Sequence, residues 1–294
     1  MSTLLLAFYF STDARFLLAR LYLEMLSEQR TQNAVRVALT NLPTGLDNTY
    51  KEVMERIYKQ GTADVDLALK VLGWITYAKV PLEAKALQHA VAIQPGMMTL
   101  EDGDLTDEDD LISVCAGIVT IDRESGIVRL VHYTTQEYLE IHLKEQKVEV
   151  VRGCLTYLGL DAFREPCDSW PQWGRLKPLP VVGRLKKYPF VGYAVRYWPD
   201  HIRGELEEEL KDVALYTFKE RGLRYSVWQI EEGLGTRMGW GPGGDRSLLH
   251  IFAAYGLSIL CRNLLDKVGG HHMYLHRILA KLMHTDSMKI CGVR

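Results

Sequence analysis

Four groupings among the 294 residues have side chains of the right type for ligation, phosphate binding or proton transfer. His272 and His276 are four apart, the spacing that puts two imidazoles on one helix face, and His284 follows eight residues later. No Glu completes an HExxH, and Cys261 and Cys291 have no paired cysteine nearby, so these histidines read as surface or partly packed residues. Gly239, Gly241, Gly243 and Gly244 could cradle a phosphate, but no Lys follows to reach it. With Pro242 they read as a linker. The acidic stretch Asp102 to Asp110 has the oxygens a calcium ion needs. Gly103 is misplaced for an EF-hand and no closing Glu follows, so the stretch reads as a solvated loop before a helix N-terminus. His132, between Val131 and Tyr133, has no nucleophile or carboxylate tied to it by motif and reads as structural. No residue is therefore assigned a catalytic, cofactor-binding or metal-binding role, and no small-molecule substrate is expected.

The elements that carry these residues follow from composition and periodicity. With 47% hydrophobic and 24% charged residues the chain is ordinary globular material. Thirty-five basic against 37 acidic residues leave a net charge of −2, which gives no global pull toward nucleic acid or anionic lipid. The longest apolar run, Leu4 to Phe10, is far short of the ~20 residues of a membrane span. It has no Lys or Arg before it, so it is not read as a secretory leader. Five cysteines without a CxxC pair suit a reducing compartment, and a cytoplasmic location is expected.

Along the chain, Phe16, Ala19, Leu23 and Leu26 form one helical stripe, and Thr31 is placed to cap a second helix ending near Leu39. A third helix runs from about Asp47 to Gln60. Residues 64–144 then read as helix, helix from Pro81 to Ala92, and a third helix opened by Thr106 and Asp109 and closed at Gly117. Two β-branched strands follow, Ile118–Asp122 and Ile127–Tyr133, turning through Gly126, and Thr134 with Glu137 forms a capping box for the next helix. Three helices and a two-stranded wing are the order of a winged helix. Six of the ten prolines fall between Pro166 and Pro199, so Ser169–Lys187 reads as an irregular connection, its five basic residues making a solvated stretch. Two helices are expected after it. One has a Phe190, Tyr193, Ala194, Tyr197 and Trp198 stripe, and the other carries Leu206, Leu210, Val213, Ala214 and Phe218.

Several ordered motifs carry a family resemblance. Leu42–Tyr50 (LPTGLDNTY), Val71–Leu82 (VLGWITYAKVPL), Cys115–Val119 and Arg129–Leu139 (RLVHYTTQEYL) resemble the segment after the NACHT NTPase domain in fungal NACHT–ankyrin proteins of the STAND class. That segment contains a winged helix labelled after GPI inositol-deacylase, and the likeness covers roughly residues 14–145. Arg246–Gly256 (RSLLHIFAAYG) with Leu264 and Leu265 is similar to the ankyrin pattern TPLHxAAxxG…LL. Ser247-Leu248 replace Thr-Pro, Phe252 stands where a small residue is usual, and Ala280–Met283 shows no second repeat.

The resemblance implies a mainly α fold in four parts. They are a helical segment (1–63), a winged helix with a β-hairpin wing (64–145), a helical and irregular region (146–244), and an ankyrin-like helix pair (245–294). It implies a non-catalytic regulatory and protein-interaction module of a STAND-type signalling protein. The partner would bind at the ankyrin-like end, around Ser247, His250, Tyr255 and Gly256. Two other classes are weighed. A hydrolase in keeping with the deacylase label needs a GxSxG elbow, and Gly256-Leu-Ser-Ile-Leu260 lacks the second glycine. A DNA-binding winged helix would put its third helix into the major groove, yet this one opens with Asp107-Glu-Asp-Asp110. A single repeat cannot bury its own apolar face. The pair is therefore expected to dock on residues 188–220, covered by Phe190, Tyr193, Tyr197 and Trp198.

Overall fold

The computed structural model describes residues 45–165, 179–235 and 247–268, together with 29–40 and scattered positions between 19 and 27. The histidines at 272, 276 and 284, the glycines at 239–244, and residues 1–18, 41–44 and 166–178 lie outside the described residues. The chain is mainly helical with one small antiparallel sheet. It divides into two compact units, residues 1–91 with 105–147 and residues 92–104 with 148–294.

The first unit opens with α1 (Gln32–Thr40), α2 (Leu46–Tyr58) and α3 (Thr62–Tyr77). The Thr31 hydroxyl accepts the Ala34 N–H at 3.2 Å and so starts α1 as its position suggested. The earlier stripe is corrected: Leu21 is buried, whereas Ala19 and Leu23 are exposed. Tyr22, next to Leu21, is half-buried, so the inward side at these positions lies about half a turn from Ala19 and Leu23. In α2, Tyr50, Val53, Met54 and Ile57 recur at helical spacing and are all buried.

After α3, Leu82–Glu83 forms a short strand, β1, before α4 (Ala84–Ala92) begins. The helix expected to begin near Pro81 and end at Ala92 is present but starts at Ala84, after a strand that two residues are too short to announce by alternation. Helix α5 (Glu108–Ser113) ends early, and the chain turns through Ala116 (φ 48°) and Gly117 (φ 85°). Strands β2 (Val119–Ile121) and β3 (Ile127–Leu130) form the wing, with β3 central in the order β1-β3-β2. Gly126 takes φ 68° in the turn, where only glycine is at ease. The Asp122 carboxylate accepts the Glu124 N–H at 3.0 Å and pairs with Arg129 at 2.5 Å. The Glu124 N–H, and then Ser125, hold its carboxyl below the usual range, with Arg129 assisting.

Helix α6 (Tyr133–His142) follows at once. The expected Thr134 capping box is corrected. His132, extended at φ −157°, is the N-cap, and its Nδ1 accepts the Thr134 N–H at 3.2 Å. The strand ends at Leu130 rather than Tyr133, which moves the first helical residue back to Tyr133. The Thr134 hydroxyl joins a partly buried network instead: it meets Tyr50 Oη at 2.7 Å and His132 Nδ1 at 2.8 Å, and Thr135 donates to Tyr50 at 3.0 Å. The box expected at Thr106 is likewise absent. Asp107 is the N-cap without a side-chain bond, and the Thr106 carbonyl accepts from Gln88 at 2.7 Å.

The second unit holds most of α7 (Gln146–Leu158), then α8 (Leu179–Lys187), α9 (Val191–Ile202), α10 (Glu205–Glu209), α11 (Lys211–Thr217) and α12 (Arg221–Gly233). Residues 179–187 are helical rather than irregular. Pro180 falls in the first turn, where a missing N–H costs nothing, and Arg184, Lys186 and Lys187 end the helix where cations suit its dipole. The single helix expected over 206–218 is two, with the chain turning at Leu210. Glutamates at 205, 207, 208 and 209 favour a helix start and oppose a helix end, so α10 stays short. An aromatic core links Tyr157, Phe163, Tyr188, Phe190 and Tyr193 at centroid separations of 5.0–5.7 Å. The Glu165 carbonyl accepts from Ser226 at 2.7 Å and from Arg184 at 3.2 Å, which ties this turn to α12 and α8.

Candidate protein-interaction site

The C-terminal described segment is a helix pair, α13 (Leu248–Ala254) and α14 (Ser258–Val268). Gly256, at φ 70°, ends α13, while the Leu257 N–H reaches back to the Phe252 carbonyl at 2.8 Å, the bond pattern of a glycine-terminated helix. The pair lies on the second unit through one aromatic cluster. Trp198, fully buried, meets Phe218 at 4.7 Å, Tyr255 at 5.4 Å and Phe252 at 6.3 Å between centroids. Of the stripe expected to cover the pair, Trp198 does so. Phe190 and Tyr193 pack in the core around Tyr157. Positions 190, 193 and 197 share one helix face, and position 198 lies one residue, about 100°, around from it.

Three polar contacts fix the pair. The Glu207 carboxylate, only 2% exposed, accepts the N–H groups of Ile259 at 2.5 Å and Leu260 at 2.9 Å, capping α14 across the chain. Arg203 donates to the Tyr255 carbonyl at 2.8 Å. The Tyr255 hydroxyl donates to the carboxylate of Glu231, itself 4% exposed. Burial pushes the Glu231 carboxyl up to about 7. The Tyr255 bond pulls the other way, and neighbouring Glu232 adds to the rise.

The residues singled out from sequence separate into two groups. Ser247 and Gly256 are exposed, and His250 is half-buried with Nδ1 2.8 Å from the Ser247 hydroxyl. Tyr255 is buried, turned inward to Glu231. Of the apolar residues of the pair, Ile251 and Leu265 are buried, while Leu249, Ile259 and Leu264 stay half-buried.

Other reactive side chains are enclosed. Burial pushes the Cys115 and Cys154 thiols far up and Cys261 to about 12, so none offers a ready thiolate. In the first unit an open cavity of about 770 Å³ runs between α5 and the wing. Arg56, Arg123, Glu108 and Asp109 line it, so both charge signs face it. Among the described residues no three metal-ligating side chains converge, and no helix is long and apolar enough to cross a membrane.

A family comparison bears mostly on the first unit. Residues 54–149 match the family model described as GPI inositol-deacylase, winged helix domain. With its helices, wing and third strand, this stretch is a winged helix. The chain is also similar to the azaphilone pigments biosynthesis cluster protein L of Monascus ruber, at 29% identity over 150 residues. That alignment covers 44% of this chain and 31% of the relative, so the chain spans about a third of the relative's length. No solved structure matches it.

Glu207, Glu231 and Arg203 were not singled out from sequence. The first two carry a legible signal. Leu223, Val227, Ile230 and Glu231 share one face of α12 at helical spacing, and Glu207 is in register with Leu210 and Ala214. A carboxylate on an apolar stripe is a group that must find a partner inside.

Proposed function

We propose that this chain is a non-catalytic regulatory and protein-interaction module of a STAND-type signalling protein. In this reading the winged helix transmits or restrains a switch, and the outer side of the α13–α14 pair meets a protein partner in the cytoplasm. The observation that carries the reading is the use made of chemically capable side chains. His132 caps a helix, Glu207 caps another, Glu231 holds Tyr255, and the described cysteines are buried free thiols. Half-buried Leu249, Ile259 and Leu264, beside exposed Ser247 and Gly256, leave a mixed apolar and polar surface of the kind proteins use to bind one another.

Helix α5 argues against duplex DNA as the ligand. Its N-cap and first turn, Asp107-Glu-Asp-Asp110, put carboxylates where phosphate binding needs cations. The hydrolase reading would need a nucleophile held against a base, and the winged-helix match lends it a family name but no such pair.

The test has two arms. The gene on either side of this chain should encode an in-frame GxxxxGK[ST] upstream and further TPLH-type repeats downstream. A GxSxG elbow there instead would favour the hydrolase. Purified protein should neither hydrolyse esters or ATP nor shift a labelled DNA duplex at low salt. Turnover, or salt-dependent duplex binding, would overturn the proposal.

A further inference from the structure

The two buried carboxylates that hold the C-terminal pair are built differently. Glu207 accepts two backbone N–H groups at the start of α14, where the helix dipole also favours negative charge. Glu231 sits on the apolar face of α12 and accepts the hydroxyl of Tyr255, a neutral donor that is itself buried. One carboxylate is placed to be charged and the other is placed where charge is costly.

We propose that the α13–α14 pair is a proton-gated flap: protonated Glu231 locks it onto α9 and α12, and ionisation of Glu231 loosens it. The lock is a neutral carboxyl and a phenol enclosed together beside Trp198. When the flap lifts, Glu231 enters water and titrates as an ordinary carboxylic acid. Lifting also uncovers Trp198 and Phe218, an apolar surface hidden in the docked state.

The sign follows from burial. The docked carboxyl is raised from its ordinary 4.5 to about 7. A raised value means that the docked state holds its proton more tightly than the open state. Stability from this group is therefore fully present below about pH 4.5 and is lost as pH rises through about 7. Among the described residues, charged or titratable groups that act on the pair include Glu232 on α12, Asp200 and Arg203 at the end of α9, and Tyr255 from the flap. Glu232 adds negative charge that opposes ionisation of Glu231, and Asp200 does the same for Tyr255. Arg203 is bound to the Tyr255 carbonyl and to Asp200. His201 meets the Tyr193 hydroxyl on its own helix at 2.7 Å.

Hydrogen exchange of residues 248–268 in the full chain, corrected for the intrinsic pH effect, reads the flap directly. Between about pH 5.5 and about pH 8.5 the opening equilibrium should rise about 30-fold in the wild type. Glu231→Gln, close in shape and neutral, should stay protected and show no such rise, which ties the rise to Glu231 and not to another group. Tyr255→Phe removes a bond that eases ionisation, so it should weaken docking more at the alkaline end than at the acid end. A wild-type opening equilibrium that does not change with pH, or a rise that persists in Glu231→Gln, overturns the proposal.

Discussion

The winged-helix unit and the helical unit solve the same problem, the end of a helix, by different means. In the first, partners are close in sequence: Thr31 caps α1 through Ala34, His132 caps α6 through Thr134, and Asp122 organises the wing turn through Glu124 and Ser125. In the second, α14 is capped by Glu207, 52 residues before Ile259, and Tyr255 is held by Glu231, 24 residues away. Local devices form whenever their segment folds. Remote ones form only when the unit assembles, so they couple the C-terminal pair to the rest of the second unit.

The largest expected effect sharpens that contrast. Trp198→Ala removes the ring that meets Phe218, Phe252 and Tyr255, and should cost the second unit about 3–5 kcal/mol. Hydrogen exchange should show protection falling across both α9–α12 and α13–α14, with α2–α6 unchanged. Gly222→Ala comes next. A Cβ there would lie 2.0 Å from the Arg164 carbonyl oxygen, backbone that cannot step aside, and about 1–3 kcal/mol should be lost from the same unit. In the first unit, Tyr50→Phe strips the hydroxyl shared by Thr134 and Thr135, for about 1–3 kcal/mol by denaturant unfolding. The smallest effect belongs to a local cap: His132→Ala should cost about 1 kcal/mol, confined to the start of α6.

The same contrast explains what could be read in advance. The helices of the first unit show their apolar periods in Tyr50, Val53 and Ile57, and Gly126 marks the wing turn, because these signals lie within a few residues of one another. The cap at His132 was hidden because imidazole is an uncommon N-cap and Thr134, two residues on, looks like a better one. Strand β1 was hidden because two residues, Leu82 and Glu83, gain their structure from pairing with β3 rather than from any preference of their own. At the candidate site the helix pair and its docking on Trp198 were foreseeable from apolar faces that needed cover. The inward turn of Tyr255 was not, because its partner Glu231 is named only by the fold.

The central claim is that α13 and α14 are part of the second unit rather than a free appendage. The most direct measurement compares hydrogen exchange of residues 191–233 in the full chain with that in a chain ended at residue 244. Loss of the pair uncovers Trp198 and Phe218 and leaves Glu207 without its N–H donors. Protection across 191–233 should fall markedly, with residues 45–91 and 105–147 unaffected. If protection of 191–233 were the same in both chains, the pair would be an independent module and the claim would fail.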